Sequence, residues 1–423
     1  MKVLQINKTD AGGGAAIAAN RLNRALRRNG VDSKLLVQDL CRSEEGVFSI
    51  GKGVVAKGVS KVNFMLERLS FLPYQKNATA KYSFSLANMG VNITNHHMVQ
   101  EADIIHLHCV NNGFMSIDSF GDLLSCGKPI VWTQHNMWSF TGGCHFAGTC
   151  LEFLEFCSYC PYLRESGKKD LSARLFARKR SIYNKSNLSI VSSSRWLRTL
   201  SQESKLLRKK NFFSIPNPID VNFYMPKSKL DSRHKLGLSQ TKKMVLFGAE
   251  NGNDPRKGMR YFIEALNVLG DSFPLMKENT ELVVFGKMDK SLMKQLPLKI
   301  NYYRHVEPKM LVDLYNAADC YVLPSLQVNL PNTIMESMAC GTPVVGFSIG
   351  GVPEMITHKK SGYLAEVKNS LSLATGIYET LFVSDLDEMG KHARDKAELT
   401  YAEPVVVDQY KQLYASLLTN NKD

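Results

Sequence analysis

In NDPRKGM (253–259) an arginine and a lysine stand side by side, Arg256 and Lys257, after an apolar run and ahead of a helical pattern. A planar guanidinium fork beside a compact ammonium suits a diphosphate. The plain alternative is a surface turn with two solvated charges. A second such place is SLQVNLPNTIMESMACGTPVVGFSIGGVPEMI, Ser325 to Ile356. Pro331 opens and Gly341 closes a helix over 332–340, whose N-terminal amides favour negative charge. Glu336 lies about one turn in. A carboxylate there can accept hydrogen bonds from two vicinal hydroxyls, as on a ribose, or simply face solvent. Positive groups and amides for phosphates, with a carboxylate for a sugar, suggest a nucleotide-sugar. AGGGAA (11–16), which holds Gly13 and Gly14, also follows a strand and opens a helix. Backbone can approach an anion there, or the glycines can serve the turn alone. The motif is not G-x-G-x-x-G, and no acidic residue closes a second strand, so a dinucleotide site is not supported.

The elements that must hold these loops form two series. VLQIN (3–7), KLLVQ (34–38), IIHLH (104–108), PIVWTQ (129–134) and SIVSSS (189–194) read as strands separated by helical or irregular stretches. In IAANRLNRALRRNG (17–30), Ile17, Leu22, Ala25 and Leu26 share one face. After SIPNPIDVNFY (214–224) the pattern restarts with MVLFGA (244–249), GMRYFIEALNVL (258–269), ELVVFG (281–286), CYVLP (320–324) and PVVGF (343–347). That is the pattern of parallel sheets wound with helices, in which ligands bind beyond the carboxyl ends of the strands. The expected division is 1–215, with a cysteine-rich loop at 142–163, and 220–400, with a final helix at 405–420 able to return to the first domain.

A chain of 423 residues exceeds one ordinary core, which gives two domains of roughly 200 residues each. An apolar fraction of 44% and a charged fraction of 22% are those of a globular protein. No apolar run has the length of a membrane span, and the start lacks a signal peptide's apolar stretch. The expected location is therefore cytoplasmic. The net charge of +14 is densest in 164–185 and 195–210. Those stretches read either as solvated helical faces or as a surface attracted to anionic membrane or phosphate-bearing substrate. Nucleic acid is not expected, since no aromatic series or nucleic-acid motif accompanies the basic residues.

Cys144, Cys150, Cys157 and Cys160 crowd into GGCHFAGTCLEFLEFCSYCPYL. In a reducing compartment four thiolates suit a tetrahedral structural zinc, although the first spacing is unusual, and free cysteines on a packed loop are the alternative. The other five cysteines read as buried core residues. His106 and His108 alternate on one strand face, as a metal pair or as core histidines beside a cleft.

With these pieces together, the chain resembles the retaining glycosyltransferases of family 4. The resemblance rests on the glycine loop, HNMW (135–138), IPNPID (215–220), DPRKGM (254–259), LYNAADCYVLPS (314–325) and the Ser325–Ile356 stretch. It implies an α/β GT-B fold, two Rossmann-like domains facing a central cleft. It implies a metal-independent sugar transfer from a nucleoside-diphosphate-sugar, a UDP- or GDP-sugar, to a glycan or lipid-linked acceptor in cell-surface polysaccharide or glycolipid synthesis. The enzyme would need no catalytic cofactor and would work in the cytoplasm, peripherally on the inner face of the membrane. By the same resemblance Arg256 and Lys257 hold the donor diphosphate with backbone at Asn332 and Thr333. Glu336 binds the ribose, Gly13 and Gly14 lie near the phosphates, and His135 lies beside the donor sugar.

Two positions depart from the family pattern. The first glutamate of its E-x7-E motif would stand where this chain has Val328, and an arginine common in relatives is replaced by Asn251. Valine cannot hydrogen-bond a sugar hydroxyl, a loss on the order of 1–3 kcal/mol. The alternative expectation is thus a nucleotide-sugar-binding pseudoenzyme. A GT-B epimerase is a third reading, against which the extent of the resemblance argues.

Overall fold

The computed structural model describes residues 1–51, 53–78, 80–184 and 186–419. The chain forms two compact units: Met1–Pro218 together with the segment from Val406 onward, and Ile219–Val405. The first unit contains β1 (Lys2–Thr9), β2 (Asp32–Asp39), β3 (Val47–Ser49), β4 (Ile104–Leu107), β5 (Ile130–Gln134), β6 (Leu188–Ser192) and β7 (Asn211–Ser214). They pair in the order β3-β2-β1-β4-β5-β6-β7, every pair parallel. The second unit contains β8 (Lys243–Asn251), β9 (Thr280–Lys287), β10 (Lys299–Tyr303), β11 (Cys320–Leu323), β12 (Val344–Phe347) and β13 (Gly362–Ala365). Its order is β10-β9-β8-β11-β12-β13, again all parallel.

Each sheet is therefore Rossmann-like, reversing its strand order once, at β1/β4 and at β8/β11. Those reversals open the crevices where ligands of such sheets bind. The central strands β4, β5, β6, β11 and β12 are buried at every residue, as a sheet covered on both faces demands. The expected stripe Met259, Phe262, Ile263 and Leu266 is buried on the helix Met259–Ser272. On the helix Gly14–Arg28, Leu22, Ala25 and Leu26 are buried, whereas Ile17 is exposed. Of the five cysteines read as core, Cys320 and Cys340 are buried and Cys41 is exposed.

The helix Glu403–Thr419 lays Val406, Val407, Tyr410, Leu413 and Tyr414 against Val3, Leu22, Leu26, Ile104 and Val131. Tyr414 hydroxyl lies 2.6 Å from His106 Nδ1, and Tyr410 hydroxyl 3.0 Å from Thr133 Oγ1. The chain's last helix is thus part of the first unit's core, bonded to the carboxyl halves of β4 and β5.

Candidate active site

In the second unit, three loops leaving β8, β11 and β12 are stitched by backbone. The amide of Leu326 donates to the carbonyl of Arg256 at 2.7 Å, and that of Gly351 to the carbonyl of Asn329 at 2.9 Å. Two glycines allow the approach. Gly258, at φ +71°, lies so close to Pro324 that a Cβ would stand 1.8 Å from its carbonyl oxygen. Gly350, at φ +60°, would meet the carbonyl of Val328 at 1.9 Å. Left-handed backbone and lack of space both demand glycine at these points.

This frame separates the two predicted cations. Arg256 turns its guanidinium onto Asp254, with Nε 3.0 Å from each carboxylate oxygen and an Nη 2.6 Å from one of them. Lys257 is half-buried and makes no ion pair among the described residues. Burial lowers its pKa, with Asp254 and Glu250 pulling the other way. The helix Asn332–Ala339 begins after the β11 loop with no side-chain cap and no acidic residue in its first turn. A half-buried ammonium on a loop bonded to the loop that opens such a helix is suited to an anion.

Glu336 does not face solvent. It is 4% exposed, and its Oε2 accepts the Tyr315 hydroxyl at 2.9 Å. Tyr315 packs edge-on against Tyr321. The Tyr321 hydroxyl donates to the carbonyl of Gly248 in the carboxyl half of β8 and bonds the side chain of Thr333. Asn332 is buried and Thr333 half-buried. Burial raises both tyrosine hydroxyls' pKa, so each stays a neutral donor. Val328 is half-buried and packs on an apolar cluster that includes Leu330, Val352 and Ile356.

In the first unit, Gly12 and Gly13 take φ +78° and +79° before the helix Gly14–Arg28, which also lacks a side-chain cap and first-turn acids. His135 follows β5 directly. Its Nε2 lies 3.0 Å from His108 Nδ1, and the rings stack at 5.3 Å. His108 Nε2 lies 2.9 Å from Gln5 Oε1. The Gln5 amide nitrogen donates to Ser33 Oγ, and Ser33 Oγ donates to Asn23, so Gln5 presents its oxygen to His108. Neutral His108 therefore donates through Nε2 and accepts through Nδ1. His135 must donate through Nε2, which leaves its Nδ1 as an acceptor. Burial keeps both rings neutral, lowering His135 to about 4 and His108 well below its usual value. His135, Asn136, His108, Asn111 and Trp132 line one small pocket. His106 belongs to the core instead, held between Tyr414 and Thr133.

The cysteine loop packs beside these residues. Cys144, Cys150, Cys157 and Cys160 all line one small pocket, and none forms a disulfide. The amide of Gly142 donates to Cys157 Sγ at 3.1 Å. Burial raises the Cys144 thiol to about 11 and Cys160 to about 12. Among the described residues no three His, Cys, Asp or Glu side chains are grouped so as to hold a metal ion. The loop is tied down by Lys179, buried on the helix Leu171–Tyr183. Its ammonium donates to the carbonyls of Trp138 and Thr141 at 2.6 and 3.1 Å and lies 3.5 Å from the centre of the Trp138 ring.

Gln5, Tyr315 and Tyr321 are the site residues that pattern reading missed, while His108, read as a core histidine beside a cleft or half of a metal pair, lines a pocket with His135. Each of the missed three acts on a partner from another strand or helix, so its role depends on how the elements pack.

Residues 12–223 match the family described as Glycosyltransferase Family 4, and residues 242–381 match Glycosyl transferases group 1. The chain belongs to glycosyltransferase family 4. A relative matched over its whole length is the putative colanic acid biosynthesis glycosyl transferase WcaC of Escherichia coli K12, 22% identical over 99% of this chain and 100% of the relative. An uncharacterized glycosyltransferase of Methanocaldococcus jannaschii is 32% identical over 39% of this chain and 42% of the relative. The N-acetyl-alpha-D-glucosaminyl L-malate synthase of Bacillus anthracis is 23% identical over 51% and 56%. The chain thus spans about half the length of several curated relatives. Among solved structures, sucrose-phosphate synthase from Thermosynechococcus elongatus superposes with a TM-score of 0.68, at 16% identity over 99% of both chains. Anabaena HepE in complex with UDP and glucose gives 0.63, at 17% identity over 98% of this chain and 100% of that one. The fold is GT-B. Among the described residues no helix is long and apolar enough to cross a membrane.

Proposed function

We propose that this glycosyltransferase moves a sugar, with retention at the anomeric carbon and without a catalytic metal, from a nucleoside-diphosphate-sugar to a glycan or lipid-linked acceptor in cell-surface polysaccharide or glycolipid synthesis. The observation that carries the reading is the half-buried Lys257 on a loop bonded by backbone to the one that opens the uncapped helix Asn332–Ala339. A diphosphate supplies the missing negative charge. Glu336, oriented by Tyr315, is the acceptor for a ribose. His135 offers Nδ1 to a sugar hydroxyl. The protein's part is to place donor and acceptor and to stabilise charge on the leaving diphosphate, which itself takes the acceptor's proton. The glycan or lipid-linked acceptor draws on relatives, one of them an Escherichia coli galactosyltransferase whose name specifies a diphosphoundecaprenol acceptor. UDP is the first nucleotide to try, since HepE was solved with UDP-glucose.

A panel of UDP, GDP, ADP, CMP and dTDP in a thermal-shift assay tests the donor site. One nucleotide at about 100 times its dissociation constant should stabilise the protein by about 2.7 kcal/mol. No shift with any of them overturns the reading. Incubating the purified protein with the matching sugar nucleotide and an acceptor extract, then reading the product's anomeric configuration by NMR, tests retention. Val328 favours a second reading, a protein that binds the nucleotide-sugar without transferring it. Binding without turnover in the presence of that extract would select it.

A further inference from the structure

The helix Gly53–Phe71 is turned inside out. An amphipathic surface helix ordinarily buries its apolar stripe. Here the buried residues include Ser60, Glu67 and Arg68. The Glu67 carboxylate accepts from Arg68, from the Ser85 hydroxyl at 2.6 Å and from the Leu86 amide at 3.1 Å, while Arg68 also donates to the carbonyl of Phe84 at 2.9 Å. The solvent side carries Val55, Val59, Val62, Met65, Leu66 and Leu69, with Val55 79% and Met65 60% exposed. Their spacing of three and four residues keeps them on one face, a stripe roughly 20 Å long. Contiguous apolar surface of this kind marks a place of contact.

Charge says with what. From Gly46 to Gln100 the only acidic residue is Glu67, and it is fully buried against Arg68. Lys57, Lys61 and Lys76 are exposed along the same stretch, and Tyr74 and Tyr82, 39% and 63% exposed, lie beyond the helix's end. Apolar side chains flanked by lysines and tyrosines, with no exposed acid, are what a helix lying in the headgroup layer requires. A two-fold pairing with a second copy would set this face and its lysines against themselves.

We propose that the outward face of the helix Gly53–Phe71 docks the protein on an anionic lipid bilayer. The helix lies outside the basic stretches 164–185 and 195–210 in sequence, and the segment that follows it adjoins the start of the first, where the Arg164 amide donates to the carbonyl of Tyr74 at 2.8 Å. The inference deepens the lipid-linked acceptor and rests on that reading only for its purpose. Vesicle binding is measured without donor or turnover, so failure of one is distinguishable from failure of the other.

The test is co-sedimentation of the full chain with vesicles of phosphatidylcholine alone and of phosphatidylcholine with phosphatidylglycerol. Binding to the anionic vesicles is expected, weakening as salt rises. The triple substitution Val59→Ser, Met65→Ser, Leu69→Ser touches only exposed side chains, and a thermal melt shows whether it folds. It should weaken vesicle binding about tenfold or more. The pair Lys57→Glu, Lys61→Glu should remove the preference for anionic lipid. Absence of binding to either vesicle overturns the proposal, as does equal binding by a folded triple variant. A dimer seen by light scattering and abolished by that variant also overturns it, because a second copy would then cover the face.

Discussion

Lys257 and Arg256 are neighbours with different work to do. Arg256 is engaged by Asp254 through three contacts, whereas Lys257 sits half-buried with its charge disfavoured by burial. The proposed diphosphate would reverse that penalty for the lysine and would gain less from an arginine already paired. Lys257→Ala should therefore weaken nucleotide binding by about 1.5–3 kcal/mol, the usual worth of a hydrogen bond to a charged group. Arg256→Ala should cost less. Isothermal titration with the nucleotide found by thermal shift reads both, and an Arg256 effect equal to or larger than that of Lys257 would reverse the assignment. Val328→Glu places a carboxylate against the cluster on which the valine packs. It should lower stability by about 1–3 kcal/mol while leaving nucleotide binding intact. If sugar transfer appears only in that variant, the natural chain is a binding protein and the transfer reading falls.

The loops at the strand ends exist in this form because Gly258 and Gly350 let backbone pass backbone. Gly258→Ala should cost about 1–3 kcal/mol of stability from the left-handed φ, and should abolish nucleotide binding by pushing the Lys257 loop off Pro324. A folded variant that still binds would show that the loop moves freely. Much of this was legible in the sequence, for a physical reason. The nine strands read from apolar runs are central, buried and bonded on both sides. The four that escaped, β3, β7, β10 and β13, are the outer strands of the two sheets. Each is bonded on one side and only partly buried, so its sequence needs no continuous apolar run. Arg256, Lys257, Glu336 and His135 could be named because they stand in short motifs. The Glu336–Tyr315 bond and the Gln5–His108–His135 chain could not, because helix packing brings the first pair together and strand order the second set. The stacked histidines also set a pH dependence. Burial lowers His106 to about 3, His135 to about 4 and His108 well below its usual value, against about 6.5 in the unfolded chain. Above that value both states are neutral and nothing changes. Below it the unfolded chain takes up protons that the folded one refuses, so stability falls until about pH 4 for His135 and about pH 3 for His106. Urea unfolding at a series of pH values from 7 to the acid side should show this loss, and His106→Gln should flatten it. A curve flat across that range would show that the rings are not buried neutral.

The covalent path of the chain crosses from the first unit to the second near Pro218 and returns at Val406, which makes the last helix a structural part of the first unit. Val406, Val407, Tyr410, Leu413 and Tyr414 are buried there among Val3, Leu26, Ile104 and Val131, and burial of one such side chain contributes about 1.5–3 kcal/mol. Their sum rivals the whole stability of an ordinary domain, about 5–15 kcal/mol. A chain ending at Val405 should therefore fail to fold its first unit, with the strands read as protease-sensitive. Its second unit keeps every residue of the Lys257–Glu336 site, so nucleotide binding should survive the truncation. Tyr414→Phe is the gentler form of the same test. It removes one hydroxyl from His106 Nδ1, keeps the packing, and should cost about 1–3 kcal/mol in thermal melts without changing nucleotide affinity. If truncation instead abolishes nucleotide binding while the first unit stays protected, the helix supports the donor site and its place in the first unit's core is secondary.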